Sequence, residues 1–323
     1  MPTVSVIMSV YDGEQWLAEA IESILEQTFT DFEFIIVDDG SQDSTAEIVR
    51  SYETRDDRIR FFKLEKNGGK AAARNHGIEM ARGEFVTGMD CDDVSLPARL
   101  EKQVAYLRDK PEIGAVGTGA LMTDAYLKPY HAFGLSEKHA RIAYDLILGP
   151  CVVGTTVMMR RKIVRACGGY DVSMIRSADI ELVSRLITRT RLANLTENLY
   201  LYRQHDGQLH STYQSRRLWA DLKRRLLFQL WGEAPPASLD RFARVRRRDK
   251  IGWRERRLAK RDIKRLIEAM IAANWVQADD RRFLLAEMNR QLERVSPRVW
   301  QMFCHWRRRH FGPGNEEKAD NYD

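Results

Sequence analysis

Two acidic clusters follow directly on apolar runs: Asp38-Asp39 after Phe32 to Val37, and Asp90-Cys91-Asp92-Asp93 after Phe85 to Met89. Apolar runs of this length that stop at turn residues read as buried strands, so the carboxylates are delivered to a sheet edge. Like charges gathered at one edge repel one another unless a cation, or hydrogen-bond donors from a ligand, sit among them. Asp90 and Asp92 flank Cys91, and a turn there brings both carboxylates near one point. Hard oxygen ligands of this kind suit Mg²⁺ or Mn²⁺, which take one or two carboxylates together with substrate phosphates. An exposed acidic turn is the competing reading, because an Asp-x-Asp pair is common.

The elements that must position these groups alternate. Val4 to Val10, Phe32 to Val37, Ile59 to Leu64 and Phe85 to Met89 read as strands. Between them Trp16, Leu17, Ala20, Ile21, Ile24 and Leu25 recur at helical spacing, and Ser44 to Tyr52 looks helical. Asn67-Gly68-Gly69 turns into a further helix around Ala71 to Met80. This alternation builds an α/β fold with a doubly wound, mainly parallel sheet covered on both faces. In such sheets ligands sit beyond the carboxyl ends of the strands. Those ends carry Ser9 and Tyr11, then Asp38 and Asp39, then Asp90, Asp92 and Asp93. No GxGxxG or GxxxxGK[ST] loop is present, which argues against a dehydrogenase or a P-loop enzyme.

The 323 residues include 44% hydrophobic ones, which suits a globular protein with a core and excludes disorder and collagen-like repetition. Their formal charge of +6 is unevenly divided. Residues 1–215 hold 25 Lys+Arg against 31 Asp+Glu, whereas residues 216–323 hold 27 against 15. From about 216 the strand signals stop, Pro235-Pro236 breaks the chain, and arginine-rich helical segments follow. Leu258, Ile263, Leu266, Ile267, Met270, Ile271 and Trp275 form one apolar stripe, with Lys260, Arg261, Lys264 and Arg265 on other faces. The chain is therefore expected to divide into a body at 1–215, a basic helical region at 216–311 and a disordered tail at 312–323. Cys91, Cys151, Cys167 and Cys304 show neither a CxxC pair nor zinc-like spacing and read as reduced thiols. Met1-Pro2-Thr3 lacks a basic leader, and Leu146 to Met159 is too short and too interrupted to span a bilayer, so a cytoplasmic protein is expected.

The stretch VSVIMSVYDGEQWLAEAIESILEQTFTDFEFIIVDDGSQDST (Val4 to Thr45) resembles the opening of the family 2 glycosyltransferases, which have the GT-A fold. The resemblance continues through NGGKAAARNHGIEMARGEFVTGMDCDDVSLPARL (Asn67 to Leu100), where DCDD fills the family's DxDD slot. It persists in GGYDVSMIRSADIELVSRL (Gly168 to Leu186) and YRQHDGQLHS (Tyr202 to Ser211), covering about two thirds of the chain. Its specificity lies in the ordered combination of these pieces.

The resemblance implies an inverting transfer of a sugar from a nucleotide-diphosphate sugar, with UDP favoured, to a hydroxyl of a cell-envelope glycan or lipid-linked precursor. Asp92 is then the direct ligand of Mn²⁺ or Mg²⁺, which acts as a Lewis acid toward the departing diphosphate, and Asp90 contacts ribose or metal. Asp39 accepts from the nucleobase, Tyr11 offers a ring for stacking, and Ser9 lies beside them. Asp38 fits a turn or helix cap. Arg74 reaches the nucleotide or its phosphates, with a surface ion pair as the alternative. His205 reaches the diphosphate or metal, against a structural role, and Arg203 could pair with phosphate oxygens. The expected base lies in Ser177-Ala178-Asp179-Ile180-Glu181, where most relatives carry Glu-Asp and this chain has Ala178-Asp179. Asp179 is the candidate to take the acceptor's proton, and Glu181 is its rival. Gly168-Gly169-Tyr170-Asp171 is expected to shape the acceptor pocket, and acceptor specificity to reside between Thr118 and Leu148.

Ala178 also admits a catalytically impaired nucleotide-sugar-binding or scaffold protein. A sugar nucleotidyltransferase is disfavoured, since the Gly-rich loop bearing arginine and lysine after the first strand is missing. For residues 216–311 three readings compete. They could lie on an anionic membrane, each Lys or Arg contributing about 1 kcal/mol. They could form the solvated face of a bundle or an oligomer contact, or bind nucleic acid, for which no recognised motif is present. Many relatives extend glycans on lipid carriers, so the resemblance favours peripheral contact with the inner face of the cell membrane and no nucleic acid.

Overall fold

The computed structural model describes residues 1–133, 135–146, 152–174, 177–205 and 277–295, together with Leu258, Arg261 and Glu268. The chain divides into two compact units, Met1–Leu222 and Lys223–Asp323.

The first unit opens with β1 (Val4–Val10), α1 (Leu17–Leu25), β2 (Phe32–Asp38), α2 (Thr45–Glu53), β3 (Ile59–Lys63), α3 (Lys70–Met80) and β4 (Phe85–Asp90). Every residue of β1, β2 and β4 is buried, as parallel strands covered on both faces require. α1 turns Leu17, Ala20, Ile21 and Ile24 inward, the spacing read from its sequence. The strands lie in the order β3-β2-β1-β4 and all run parallel. Their register sets Ser9 beside Val37 and Asp90, and Val10 beside Asp38, so the carboxylates share one edge.

Beyond β4 the parallel pattern gives way to a mixed one. The chain continues through β5 (Val94–Ser95), α4 (Arg99–Asp109), β6 (Ile113–Thr123), β7 (Pro129–Ala132) and α5 (His139–Leu146). A 3₁₀ turn at Gly154–Thr156 precedes β8 (Met158–Arg160), α6 (Arg161–Ala166), α7 (Ala178–Leu186) and β9 (Arg191–Arg203). β8 pairs antiparallel with β4 and β6, β9 runs parallel to β6, and β5 and β7 add antiparallel to β9 and β6. Among the described residues these nine strands make a single sheet. Because β5 pairs with β9, the turn carrying Asp92 and Asp93 is held against the end of β9.

In the second unit α8 (Ala278–Val295) is an 18-residue helix with Leu284 buried. Most of the stripe from Leu258 to Trp275, and the tail from Gly312, lie outside the described residues, as do Cys151 and Cys304. Cys91 and Cys167 are free thiols. No helix among the described residues is long and apolar enough to cross a membrane.

At the end of the sheet opposite the acidic edge, Glu33 of β2 ties β1, β3 and the turn before β4 together. Its Oε1 accepts from Ser5 Oγ at 2.7 Å and from the Arg82 N–H at 2.6 Å. Its Oε2 accepts from Arg60 Nη1 at 2.5 Å, and the Gly83 N–H donates to Ser5 Oγ at 2.9 Å. Burial opposes the Glu33 charge, but Ser5, the Arg82 amide and Arg60 outweigh it and hold the carboxyl below its ordinary range. A carboxylate depressed in the folded state stabilises fully above its unfolded pKa, and that stability is lost as pH falls through the folded one. Glu33→Gln should therefore lower the unfolding free energy by about 2 kcal/mol at neutral pH. In urea titrations the gap to wild type should narrow below about pH 4; a gap independent of pH contradicts this assignment.

Candidate active site

Asp90, the last residue of β4, is the most heavily bound carboxylate of the edge. Its Oδ1 accepts from Arg74 Nη2 at 2.6 Å and pairs with Lys70 Nζ at 2.8 Å, and its Oδ2 accepts from Thr155 Oγ1 at 2.8 Å. Lys70 and Arg74 stand one turn apart on α3, so a single helix face delivers both cations. Burial disfavours the Asp90 charge, yet Lys70, Arg74 and the Thr155 hydroxyl more than compensate and hold its carboxyl well below the usual range. Arg74 is buried, with its guanidinium 5.4 Å from the centroid of the Tyr170 ring. Its ion pair is thus internal, whereas the alternative read from the sequence was a surface one.

The other two carboxylates of the cluster differ from Asp90 and from each other. Asp93 is buried and its Oδ1 accepts the Arg203 N–H at 2.9 Å. Burial first, then Asp92 and Asp90, push its carboxyl well above the ordinary range. The Asp92 side chain is 25% exposed, and its Oδ2 lies 3.2 Å from His205 Nε2. Ligand oxygens of the three aspartates lie within 4.8 Å of one another. Of these groups Asp92 and His205 are the more exposed, and a carboxylate and an imidazole of this kind would suit a divalent cation such as Mn²⁺ or Mg²⁺.

Across the edge, Asp39 is buried, and its two oxygens accept the Gly68 and Gly69 N–H groups, each at 2.8 Å. Asp39 thereby fixes the loop that leads into α3 and its two cations. Asp38 takes the turn role expected of it, accepting the Ser41 N–H at 2.8 Å. Ser9 is buried between Val37 and Asp90, and its Oγ has no hydrogen-bond partner among the described residues. Tyr11, 47% exposed, directly follows β1 at the same edge. Its loop is stitched to the neighbouring turn by Asp12, whose N–H donates to Ser41 Oγ and whose Oδ1 accepts the Gln42 N–H.

Asp179 lies in the first turn of α7, where a helix favours negative charge. It packs against Gly154: a Cβ at that position would stand 1.9 Å from Asp179 Oδ2. The next residue, Thr155, is the donor to Asp90. One 3₁₀ turn therefore connects two carboxylates that are far apart in sequence. Glu181, by contrast, is buried and held by Arg185 at 2.6 Å, and Arg185 also donates to the Cys167 and Gly169 carbonyls. The Gly168–Asp171 turn has positive φ at both glycines, and Asn75 brackets the Tyr170 backbone at 2.7 and 2.8 Å. The turn thus sets the Tyr170 ring beside Arg74. Lys70, Gly154 and Thr155 were missed in the sequence. Lys70 could have been found from its spacing to Arg74, and the other two only as breaks in an apolar run.

Arg203 does not face a phosphate site. Only 2% exposed, it donates from Nε to the Asp92 carbonyl at 2.7 Å, from Nη1 to the Ala125 carbonyl at 2.6 Å and from Nη2 to Glu19. Its guanidinium lies 4.3 Å from the centroid of the Trp16 ring, which in turn is 5.7 Å from His205. This planar fork anchors the acidic turn to α1, a task for which an ammonium group lacks the geometry. Arg203→Lys should cost about 2–4 kcal/mol of unfolding free energy by stranding buried carbonyls. A change below about 0.5 kcal/mol in urea unfolding contradicts that role.

Residues 5–168 match the family model described as Glycosyl transferase family 2. The O-antigen biosynthesis glycosyltransferase WbnJ of Escherichia coli is 31% identical over 214 residues, which cover 63% of this chain and 80% of WbnJ. The structure of S. aureus TarS 1–349 with UDP-GlcNAc aligns with 95% of this chain and 92% of its own, with a TM-score of 0.59 and 20% identity. The mannosyltransferase PcManGT from Pyrobaculum calidifontis, solved with GDP-Man and Mn²⁺, aligns with 93% of this chain and 88% of its own, with a TM-score of 0.52 and 19% identity. At such identities these structures establish the fold, the GT-A sheet with its helices. Given the match of the family model over half its length, the chain belongs to glycosyltransferase family 2.

Proposed function

We propose that this glycosyltransferase moves a sugar from a nucleotide-diphosphate donor, UDP-linked by preference, to a hydroxyl of a cell-envelope glycan or lipid-linked precursor, with inversion. The observation that carries this reading is the joining of Asp90 and Asp179 through Gly154-Thr155, beside Asp92 and His205. The O-antigen name of WbnJ and the UDP-GlcNAc and GDP-Man of the two structures support the substrate classes.

Tyr11 stacks on the base and Ser9 lies beside it. Asp39, whose oxygens each keep a second lone pair, accepts from a base N–H. Asp90, fixed by Lys70 and Arg74, faces the ribose. Asp92 and His205 would hold Mn²⁺ or Mg²⁺, which supplies Lewis-acid stabilisation to the leaving diphosphate. Asp179 takes the acceptor hydroxyl's proton as that oxygen attacks the anomeric carbon and the bond to the diphosphate breaks. Glu181, committed to Arg185, is left out of the reaction. We assign this chemistry to residues 1–215, and to 216–311 a peripheral contact with anionic membrane, without nucleic acid. Ala178 supports a second reading, a scaffold that binds nucleotide sugars without turning them over.

Asp179→Asn should lower kcat about 10²–10⁴-fold while UDP affinity stays within about twofold. Gly154→Ala, whose methyl group intrudes on Asp179, should act in the same direction. Steady-state transfer assays paired with UDP calorimetry check both. Full transfer by Asp179→Asn rules out the base, and wild-type UDP binding without turnover favours the scaffold.

A further inference from the structure

One face of the sheet carries a row of rings that starts at the carboxylates and ends at an exposed edge. Tyr200 is buried, and its hydroxyl oxygen accepts the Asp90 N–H at 3.3 Å. Side chains alternate along a strand, so Tyr202 returns to the same face. The register sets Tyr202 beside Met122 on β6, and Met122 beside His131 on β7. Residues opposite one another on adjacent strands share a face. Phe133 completes the row, its centroid 6.1 Å from that of His131 at an interplanar angle of 72°, and 6.2 Å from that of Tyr202 at 89°. Exposure rises outward, from buried Tyr200 through half-buried Tyr202 and Phe133 to exposed His131. Besides its burial, the fields of Asp93, Asp90, Asp92 and Asp179 raise the pKa of the Tyr202 hydroxyl, as expected for a ring at the margin of the site.

We propose that the row of Tyr202, Phe133 and His131 is the acceptor platform, taking a pyranose chain whose C–H faces stack on the rings while its terminal hydroxyl reaches Asp179. This rests on the reading of the carboxylate edge as a glycosyl-transfer site. Pyranose rings with equatorial substituents expose C–H groups on their faces and hydroxyls at their rim. The electron-rich face of an aromatic ring attracts such C–H groups. The row contains no Lys or Arg and leads to four carboxylates, so an anionic headgroup or phosphate is a poor occupant. Phe133 and His131 also fall within 118–148, where acceptor specificity was expected and no residue could be named from the sequence.

Cellotetraose is a suitable probe, because its β-linked glucose units carry C–H groups on both faces. Titrating it into the full chain and following aromatic NMR resonances should give saturable shifts of Tyr202, Phe133 and His131. His131→Ala and Phe133→Leu, the latter keeping an apolar side chain of similar size without a ring, should each weaken binding at least about fivefold. Tyr126→Ala, which removes an exposed ring outside the row, should bind as wild type does. Failure of wild type to bind, undiminished binding by both row variants, or an equal loss in Tyr126→Ala overturns the platform. UDP titration of the same samples separates the two readings. Cellotetraose binding without UDP binding contradicts the donor site and leaves the platform standing, and the reverse outcome contradicts the platform alone.

Discussion

The site depends on how one buried carboxylate is paired. Three aspartate side chains crowd within 4.8 Å at the turn after β4, and so close a group cannot carry three uncompensated charges. Lys70 and Arg74 settle the matter for Asp90, which stays ionised and fully engaged. Asp93 goes the other way, buried beneath its neighbours with its carboxyl raised. Asp92 remains on the outer side, next to His205. Chemically identical residues thus acquire different tasks through position alone.

The same pairing links the two halves of the edge. Asp39 grips the loop that opens α3, so the residue proposed to face the nucleobase also determines where Lys70 and Arg74 stand. On the other side, Thr155 binds Asp90 while Gly154 gives room to Asp179. Arg203 fastens the acidic turn to α1, which keeps Asp92 and His205 together. At the opposite end of the strands, away from the chemistry, Glu33 binds β1, β3 and the turn before β4.

The first four strands were legible because each is a mainly apolar stretch of strand length that ends at polar residues, and the helix after β1 keeps a clear period. The later sheet was not. β6 reads IGAVGTGALMT, in which glycines pack against Asn194 and Asn198 and no alternation survives. β5 and β8 are two and three residues long, too short for any pattern. Of the site, the resemblance named Asp39, Arg74, Asp90, Asp92 and Asp179; Arg74 pairs with Asp90, Asp92 belongs to the same acidic turn, and Asp179 packs on Gly154 next to the Thr155 that binds Asp90. It did not disclose Lys70, which only its spacing to Arg74 on α3 could have flagged, nor Gly154 and Thr155, whose importance arises from proximity in space. Arg203 was misread for the same reason, since its partners Glu19, Asp92 and Ala125 are assembled by the pairing of β9 with β5 and β6.

The division of labour among the three aspartates is tested most directly by an Mn²⁺ titration of wild type and Asp92→Asn, followed by electron paramagnetic resonance. If Asp92 holds the cation, the substitution weakens Mn²⁺ binding at least about tenfold. Wild-type affinity in Asp92→Asn would contradict it.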